Sequence, residues 1–421
     1  MFKTLVNAFK IGDIRKKLLM TLLLILIYRL GCFIPIPGVN ASYIAQQVGQ
    51  YDALGFLNLL SGGSFADFTI FAMGITPYIT GSIIMQLLQI AIPALERMAK
   101  EEDGRKKLQQ ITRYVGVGLA LVQSVGIILS LGSGAVYEPN FFTYATIGIV
   151  ATTGTCFLMW LGERITDVGI GNGISLLIFS SIVSQLPTTV ITLVNNVRDT
   201  LISAWVLPMV LVLVVAIVTL VVYVNEGERR VPVQYAKRVV GRKLYGGQST
   251  HIPMKANANG VMPLIFALTI TQFPIMIMQI VDPKAEGGFS RFWYAYMGTG
   301  TAVYYVFYAL LIVGFAYFYT TISFNPIEMS KNLQQYGGFI PGIRPGKPTS
   351  DYLGRISSRL TLFGALFLAL IAIVPNLFLG ALSIQSPFGP TSVLIMVSVA
   401  LETMEQLQNQ MLMRHYKGFL N

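Results

Sequence analysis

The chain of 421 residues is 54% hydrophobic and only 12% charged, and its mean hydropathy is +0.63. A soluble globule of this size needs more polar surface than this composition supplies, so we identify a membrane protein. Cys32 and Cys156 both lie in apolar runs, which argues against a disulfide framework, and two distant histidines are too few for a metal site.

Ten apolar runs approach the roughly 20 residues that a membrane-spanning helix requires. In chain order they are 18–36, 75–92, 114–131, 141–161, 174–194, 204–224, 261–281, 302–322, 360–378 and 390–407. The first run is long and ends in "PIPG" rather than in small residues, so we do not expect a cleaved signal peptide. The pattern predicts an all-α polytopic membrane protein.

Basic residues indicate how these spans are oriented. Of the 30 lysines and arginines, 26 fall in loops that share one side with both termini, and basic loops are retained in the cytoplasm. We therefore expect both termini to be cytoplasmic. Arg29 lies within the first run, where it is expected to snorkel to the interface or to pair inside the bundle.

Ten spans also divide evenly between an N-terminal half, residues 1–195, and a C-terminal half, residues 196–421. Because each half has an odd number of spans, a second copy of the same fold would be inserted upside down. The sequence therefore favours two pseudo-symmetric inverted halves of five helices, with a pathway along their interface.

Two cytoplasmic loops, residues 225–259 and 323–358, are longer than connectors need to be. The first alternates as a strand at "RRVPVQYA" and again at "STHIPMK", which predicts a hairpin with a basic tip. The second is rich in Gly and Pro, which predicts an irregular projecting loop. The alternatives are charge that only sets topology, or docking of a large anionic partner such as an acidic protein or RNA. The cations in question are Lys237, Arg238, Arg242, Lys243, Arg344 and Lys347.

The predicted membrane interior lacks the residues that catalysis would use. Its only carboxylates are Glu402 and Glu405 near the end of the last run, and it has no Asp pair, no Ser/His pair and no His/Glu cluster; the chain has no phosphate-binding loop motif. We therefore expect neither an enzyme nor a cofactor. Small and polar residues, as in "TPYITGSIIMQLLQ", would instead let helices pack closely and separate without stranding charge.

Five stretches in order carry a family resemblance: "RLGCFIPIPG", "LLSGGSFADFTIFAMGITPYI", "LGERITDVGIGNGIS", "QSTHIPMK" and "FIPGIRPGKPT". Together they resemble the SecY family, the channel subunits of the bacterial protein translocase, from the first span to the last. The resemblance implies an hourglass pore between the two halves. It also implies that a short plug helix, at about residues 56–68, closes the exterior half of that pore.

The resemblance assigns residues to three functional features. The plug would include Phe56, Leu59, Leu60, Gly62, Gly63, Phe65 and Phe68. An apolar pore ring would consist of Ile75, Ile79, Ile174, Ile178, Ile265 and Ile395, where side chains can exclude water and ions. A lateral gate between the second and third spans and the seventh and eighth would use Thr80, Gln86, Thr271 and Gln272, although bonds within each helix are an equal alternative.

The implied function is a passive channel in the bacterial plasma membrane. It would move unfolded polypeptides outward and release hydrophobic segments sideways into lipid. Its implied partners are the small subunits SecE and SecG, the motor ATPase SecA, signal peptides and nascent chains, and ribosomes docked on the cytoplasmic loops. A secondary transporter of small solutes, which also uses inverted repeats, is the alternative, and a membrane scaffold without a pore would leave the plug segment without a purpose.

Overall fold

The computed structural model describes residues 2–48, 52–199, 203–235, 238–240, 243–245, 249–282, 287–298, 301–381 and 389–417. Its helices are α1 (Phe2–Lys10), α2 (Gly12–Gly31), α3 (Ala41–Val48), α4 (Asp52–Leu60), α5 (Thr76–Ala91), α6 (Pro93–Lys100), α7 (Glu102–Ser130), α8 (Phe141–Val168), α9 (Gly173–Arg198), α10 (Val206–Glu226), α11 (Met262–Val281), α12 (Gly288–Met297), α13 (Ala302–Ser323), α14 (Pro326–Gln335), α15 (Lys347–Ala381) and α16 (Pro390–Lys417). Each of the ten predicted spans overlaps one of these helices: α2, α5, α7, α8, α9, α10, α11, α13, α15 and α16.

Several of the described helices are long and apolar enough to cross a membrane. Six meet this test by length and composition, namely α7, α8, α9, α10, α13 with its continuation α14, and α15. A seventh is added if α5 and α6, which meet at a bend of 104° before Pro93, form one broken span. The chain is therefore a multi-pass membrane protein, and ten spans remain consistent with this architecture.

The helices and the apolar runs differ most at their ends. Helices α7 and α15 begin well before their apolar runs, and α16 continues past its run, because a helix needs only its backbone bonds to continue into water. Helix α2, which contains the start of the first run, instead ends at Gly31, before the predicted end of that run at residue 36. Pro35 and Pro37 prevent its continuation, and residues 34–36 run extended beside residues 68–70.

The chain forms two compact units. Unit 1 consists of Met1–Met209, Thr269–Thr299 and Ser383–Asn421, and unit 2 consists of Val210–Leu268 and Gly300–Leu382. In unit 1, glycines allow helices to approach closely, as small residues do in membrane bundles. A Cβ on Gly81 of α5 would lie 3.1 Å from the backbone nitrogen of Gly116 in α7, and a Cβ on Gly173 of α9 would overlap the carbonyl oxygen of Gly162 in α8.

Unit 2 carries a small antiparallel sheet formed by both long loops, residues 225–259 and 323–358. Strand β1 (Glu228–Tyr235) pairs with β4 (Ser249–Lys255) on one side and with β5 (Gly338–Phe339) on the other. The short strands β2 (Arg238–Val240) and β3 (Lys243–Tyr245) form a separate ladder. The predicted hairpin is thus confirmed. Its apolar face packs with the second loop in one core: Val231, Val233, Met254, Ile340, Leu353 and Ile356.

The prediction that residues 323–358 are irregular was wrong for most of the loop. Helix α14 occupies its first part, and α15 begins at Lys347, so only the segment between them lacks helix. The physical reason is local capping. The Asn325 side chain accepts hydrogen bonds from the backbone nitrogens of Ile327 and Glu328, and Pro326 stands at the first helical position, where it needs no partner.

Candidate functional site

The segment that follows α4 folds back against the membrane helices of unit 1. The predicted plug helix was misplaced, because helix α4 ends at Leu60 and residues 61–68 form turns. Gly62 (φ +68°) and Gly63 (φ +93°) adopt the left-handed conformation, which ends a helix rather than loosening it. A short helix therefore does lie in this segment, but at Asp52–Leu60 it begins before the predicted range of 56–68, and its role as a plug stays a prediction.

Side chains of α2 and α9 hold the carbonyls at the end of α4. The Arg29 Nη1 atom donates to the Gly62 oxygen at 3.0 Å, and the Tyr28 hydroxyl donates to the Ser61 oxygen at 3.2 Å. The Tyr28 and Ser181 hydroxyls are 2.6 Å apart, and Ser184 Oγ lies 3.5 Å from the Gly62 oxygen. The last carbonyls of a helix lack partners within the helix, and here they are bound by neighbouring helices.

The turn is also fixed from within. The Asn58 side-chain oxygen accepts from the Ala66 nitrogen at 2.9 Å, and the Asn58 carbonyl accepts from the Gly63 nitrogen at 2.8 Å. Phe65 and Phe68 are fully buried in an apolar cluster of unit 1. Leu59 is buried and Leu60 half-buried, while the Phe56 side chain lies outside the described residues.

The far end of the turn is tied to the segment after α2. The Phe68 carbonyl accepts from the Ile36 nitrogen at 3.1 Å, and the Ile70 nitrogen donates to the Ile34 carbonyl at 3.0 Å. These backbone bonds tie residues 68–70 to the segment after α2.

The proposed ring isoleucines lie at the starts of helices. Ile75 caps the N-terminus of α5 rather than lying in it, and its carbonyl accepts from the Ile79 nitrogen at 3.1 Å. Ile174 and Ile178 occupy the first turns of α9, which Asn172 caps. Ile395 lies in α16. Five of the six belong to unit 1, and Ile265 of α11 belongs to unit 2.

Ring residues differ in exposure. Ile75, Ile79, Ile178 and Ile395 are buried, whereas Ile174 and Ile265 are half-buried. Ile174 also packs against α8: a Cβ added to Gly162 of α8 would lie only 3.3 Å from the Ile174 side chain. Ile174 therefore contributes to helix packing.

Two of the gate candidates bond within their own helix. The Thr80 hydroxyl donates to the Thr76 carbonyl at 3.0 Å, and the Gln86 side chain donates to the Ser82 hydroxyl at 3.3 Å. This is the alternative that the sequence left open. In α11, Thr271 is buried, and the Gln272 side-chain oxygen is a buried acceptor without a hydrogen bond among the described residues.

The Arg344 loop is rigid while its guanidinium is exposed. The Thr349 hydroxyl donates to the Arg344 carbonyl at 2.9 Å, and the Ser330 hydroxyl donates to the Gly346 carbonyl at 2.7 Å. Both hydroxyl residues are 2% exposed. Lys347 is exposed at the start of α15. We call the β1, β4, β5 sheet together with this loop the sheet platform.

The basic tip of the first loop is only partly described. Lys237 and Arg242 lie outside the described residues. Arg238 and Lys243 lie in β2 and β3, whose backbone pairing is described but whose side chains are not.

Sequence reasoning missed the residues that position these features. Tyr28, Ser181 and Ser184 hold the turn after α4, and Ser330 and Thr349 hold the Arg344 loop. The only available signal was the presence of hydroxyl side chains in or beside apolar runs. That signal is common in membrane helices, where such groups usually bond to their own backbone.

The chain is similar to proteins of one known family over its whole length. The SecY family model matches residues 69–404. The chain is 45% identical over 435 residues to the protein translocase subunit SecY of Halalkalibacterium halodurans, and 44% identical over 439 residues to that of Streptomyces coelicolor, covering 100% of both chains in each case.

Solved structures share the fold. "The structure of a protein conducting channel" aligns with a TM-score of 0.68 at 20% identity, covering 94% of this chain and 92% of the other. The structure of Sec61 in the canine ribosome-channel complex aligns with a TM-score of 0.60 at 18% identity and the same coverage.

These matches define the fold as that of a polytopic protein-conducting channel. The chain belongs to the SecY family. It is a channel subunit that translocates polypeptide across a membrane, and the alternative of a small-solute transporter is not supported.

Proposed function

We propose that this chain lies in a bacterial plasma membrane with both termini in the cytoplasm, and that residues 52–63 seal its polypeptide path when it is idle. The observation that carries the proposal is the bound state of the turn after α4, whose carbonyls accept hydrogen bonds from Tyr28 and Arg29. A related structure is described as showing that the plug domain of the SecY protein stabilizes the closed state and maintains a membrane seal.

The ring isoleucines would form the constriction beneath the plug. Branched apolar side chains disfavour a continuous water column yet yield to a passing chain. Burial of Ile79 and Ile178 at the starts of their helices supports this role, because rigid helix starts present side chains at a fixed depth. The inverted halves at residues 1–195 and 196–421 remain part of this proposal.

Sideways release of hydrophobic segments would require α5 and α7 to separate from α11 and α13. The intrahelical bonds of Thr80 and Gln86 favour easy separation, because those side chains keep their partners when the helices part. Interhelical hydrogen bonds in membranes are modest, at about 0.6 kcal/mol on average, so a few such contacts at Thr271 and Gln272 would leave opening inexpensive.

The sheet platform would face the cytoplasm and dock the motor ATPase SecA and the ribosome, while SecE and SecG would complete the membrane complex. Two neighbouring structures are of related channels bound to ribosomes, one canine and one from yeast. In this chain the exposed Arg344 and Lys347 supply the positive charge that an acidic protein face or RNA phosphate would bind.

The test is ion conductance of the reconstituted translocase complex with and without residues 52–63. We expect deletion to raise the resting conductance and to leave residues 68–70 tied to the segment after α2. A matched control deletes one turn of the exposed helix α6, which makes no contact with the plug segment among the bonds described. Equal resting conductance in the parent and the plug deletion would reject the sealing role.

A further inference from the structure

We infer that Arg29 is a positioning residue that latches the plug in its closed place, through its hydrogen bond to the Gly62 carbonyl. This inference rests on the proposed role of residues 52–63 as the seal. It explains why a cation stands inside the first membrane helix, which the sequence left as snorkelling or pairing.

The environment of Arg29 favours the latch over either alternative. Its guanidinium donates to a backbone carbonyl at 3.0 Å and lies 5.4 Å from the Phe33 ring centre, while no carboxylate pairs with it among the described residues. A charge in a membrane segment is expensive and needs such partners. The bond therefore satisfies both the cation and a helix-end carbonyl.

Electrostatics strengthen the contact. Gly62 follows the C-terminus of α4, where the helix dipole places partial negative charge, and a cation is stabilising there. A hydrogen bond from a charged donor is also stronger than one between neutral groups. Displacing the plug breaks this contact and leaves the guanidinium with fewer partners, so opening is resisted at this point.

The shape of the turn fits the donor. Gly62 has a φ of +68°, and a Cβ at this position would lie 3.1 Å from Arg29 Nη1 and 3.1 Å from the Ser181 Cα atom. Glycine is thus required both for the backbone conformation and for the close approach of the two helices. A Cβ on neighbouring Gly63 would meet Gln185 Nε2 of α9 at 2.7 Å.

Three side chains contact the carbonyls of the turn, and their hydrogen bonds differ in strength. Removing each one should therefore release the plug to a different extent. Arg29 supplies a charged donor at 3.0 Å, Tyr28 a neutral donor at 3.2 Å, and Ser184 a hydroxyl at 3.5 Å that also donates to the Ser181 carbonyl at 2.7 Å. We expect removal of these groups to release the plug in that order, with Ser184 having almost no effect.

The experiment measures resting ion conductance of the assembled complex together with labelling of the plug. Arg29→Met keeps an unbranched side chain of similar length but removes the donor and the charge. Loss of a charged hydrogen bond should raise the open fraction roughly 10-fold to 100-fold, and loss of the neutral bond in Tyr28→Phe about 2-fold to 10-fold. Arg29→Lys, which retains a charged donor, should fall near the parent.

A second readout does not depend on conduction. In a chain lacking Cys32 and Cys156, a cysteine replacing half-buried Leu60 should react faster with a membrane-impermeant maleimide when Arg29→Met is present. Arg198→Met is the matched control, because Arg198 is an exposed arginine at the end of α9. It should change neither conductance nor labelling.

The outcomes separate the latch from the plug itself. If deletion of residues 52–63 raises conductance but Arg29→Met and Tyr28→Phe both behave as the parent, the latch is wrong and the plug stands. If the deletion has no effect, the sealing role and the latch are both wrong. If Arg29→Met prevents assembly, Arg29→Gln, which removes the charge and keeps a shorter neutral side chain, decides, and its parental conductance and labelling would overturn the latch.

Discussion

Arg344 should matter for motor-driven transport far more than its exposure suggests. Its backbone is held at Arg344 and just after it, because the Thr349 hydroxyl donates to the Arg344 carbonyl at 2.9 Å and the Ser330 hydroxyl donates to the Gly346 carbonyl at 2.7 Å. Gly342 (φ +80°) and Gly346 (φ +97°) provide turns that other residues enter only with strain. The loop is therefore organised before binding and presents one planar guanidinium, a geometry suited to carboxylate or phosphate.

Two substitutions separate the charge from its presentation. Arg344→Glu changes an exposed side chain, so stability should move by no more than about 0.5 kcal/mol while docking is lost. Thr349→Val removes one neutral buried hydrogen bond, worth about 0.5–1.5 kcal/mol, which lowers the ratio of ordered to disordered loop by up to roughly tenfold. It should weaken transport without abolishing it, provided that the loop and not the whole unit loosens.

The assay is ATP-driven translocation of a secretory precursor into vesicles that contain the assembled translocase. We expect Arg344→Glu to assemble normally and to translocate poorly, and Arg344→Lys to recover only part of the activity because an ammonium lacks the bidentate fork. Lys347→Glu, at the exposed start of α15, is the matched control and should lose less. Normal translocation by Arg344→Glu would show that this cation only helps to set topology.

Three further predictions concern the membrane part of the chain. Replacing Ile79 and Ile178 together with Ser should hydrate the constriction and raise ion leak, measured as resting conductance; unchanged leak in a folded variant would remove both residues from the ring. A bifunctional thiol reagent joining Thr80→Cys to Gln272→Cys, in a chain without its native cysteines, should block secretion, and secretion that persists after complete crosslinking would dismiss the gate. Gly154→Ala should reduce thermal stability by about 1–3 kcal/mol, because its Cβ would overlap the Ile70 carbonyl oxygen, whereas Gly118→Ala, with open space around it, should not.

Hydropathy located the helices but not their ends. An apolar run marks only the part of a helix that would lie in lipid, so the polar extensions of α7, α15 and α16 do not appear in it. The strands of the first loop could be predicted from the sequence, because apolar and polar residues alternate there with the period of two that a strand requires. Their pairing with β5 was not, since two residues are too few to show a period.

The plug shows a different limit. The family resemblance located the segment, and the glycine pair pointed to a break, but the sequence does not tell whether glycines loosen a helix or end it. That depends on the sign of φ, which here follows from the contacts of Gly62 with α2 and α9. In the same way Arg29 was visible as an anomaly, and only the fold brought it to a carbonyl 33 positions along the chain.

The central claim is that polypeptide passes through this chain, and site-specific photo-crosslinking tests it most directly. A photoreactive side chain at position 79 should form an adduct with a precursor arrested during translocation, and the adduct should disappear when the precursor is released into the vesicle. A matched probe replacing Leu211, an exposed residue of α10, should remain without an adduct. Precursor that reaches a protease-protected state while position 79 never crosslinks would contradict the account.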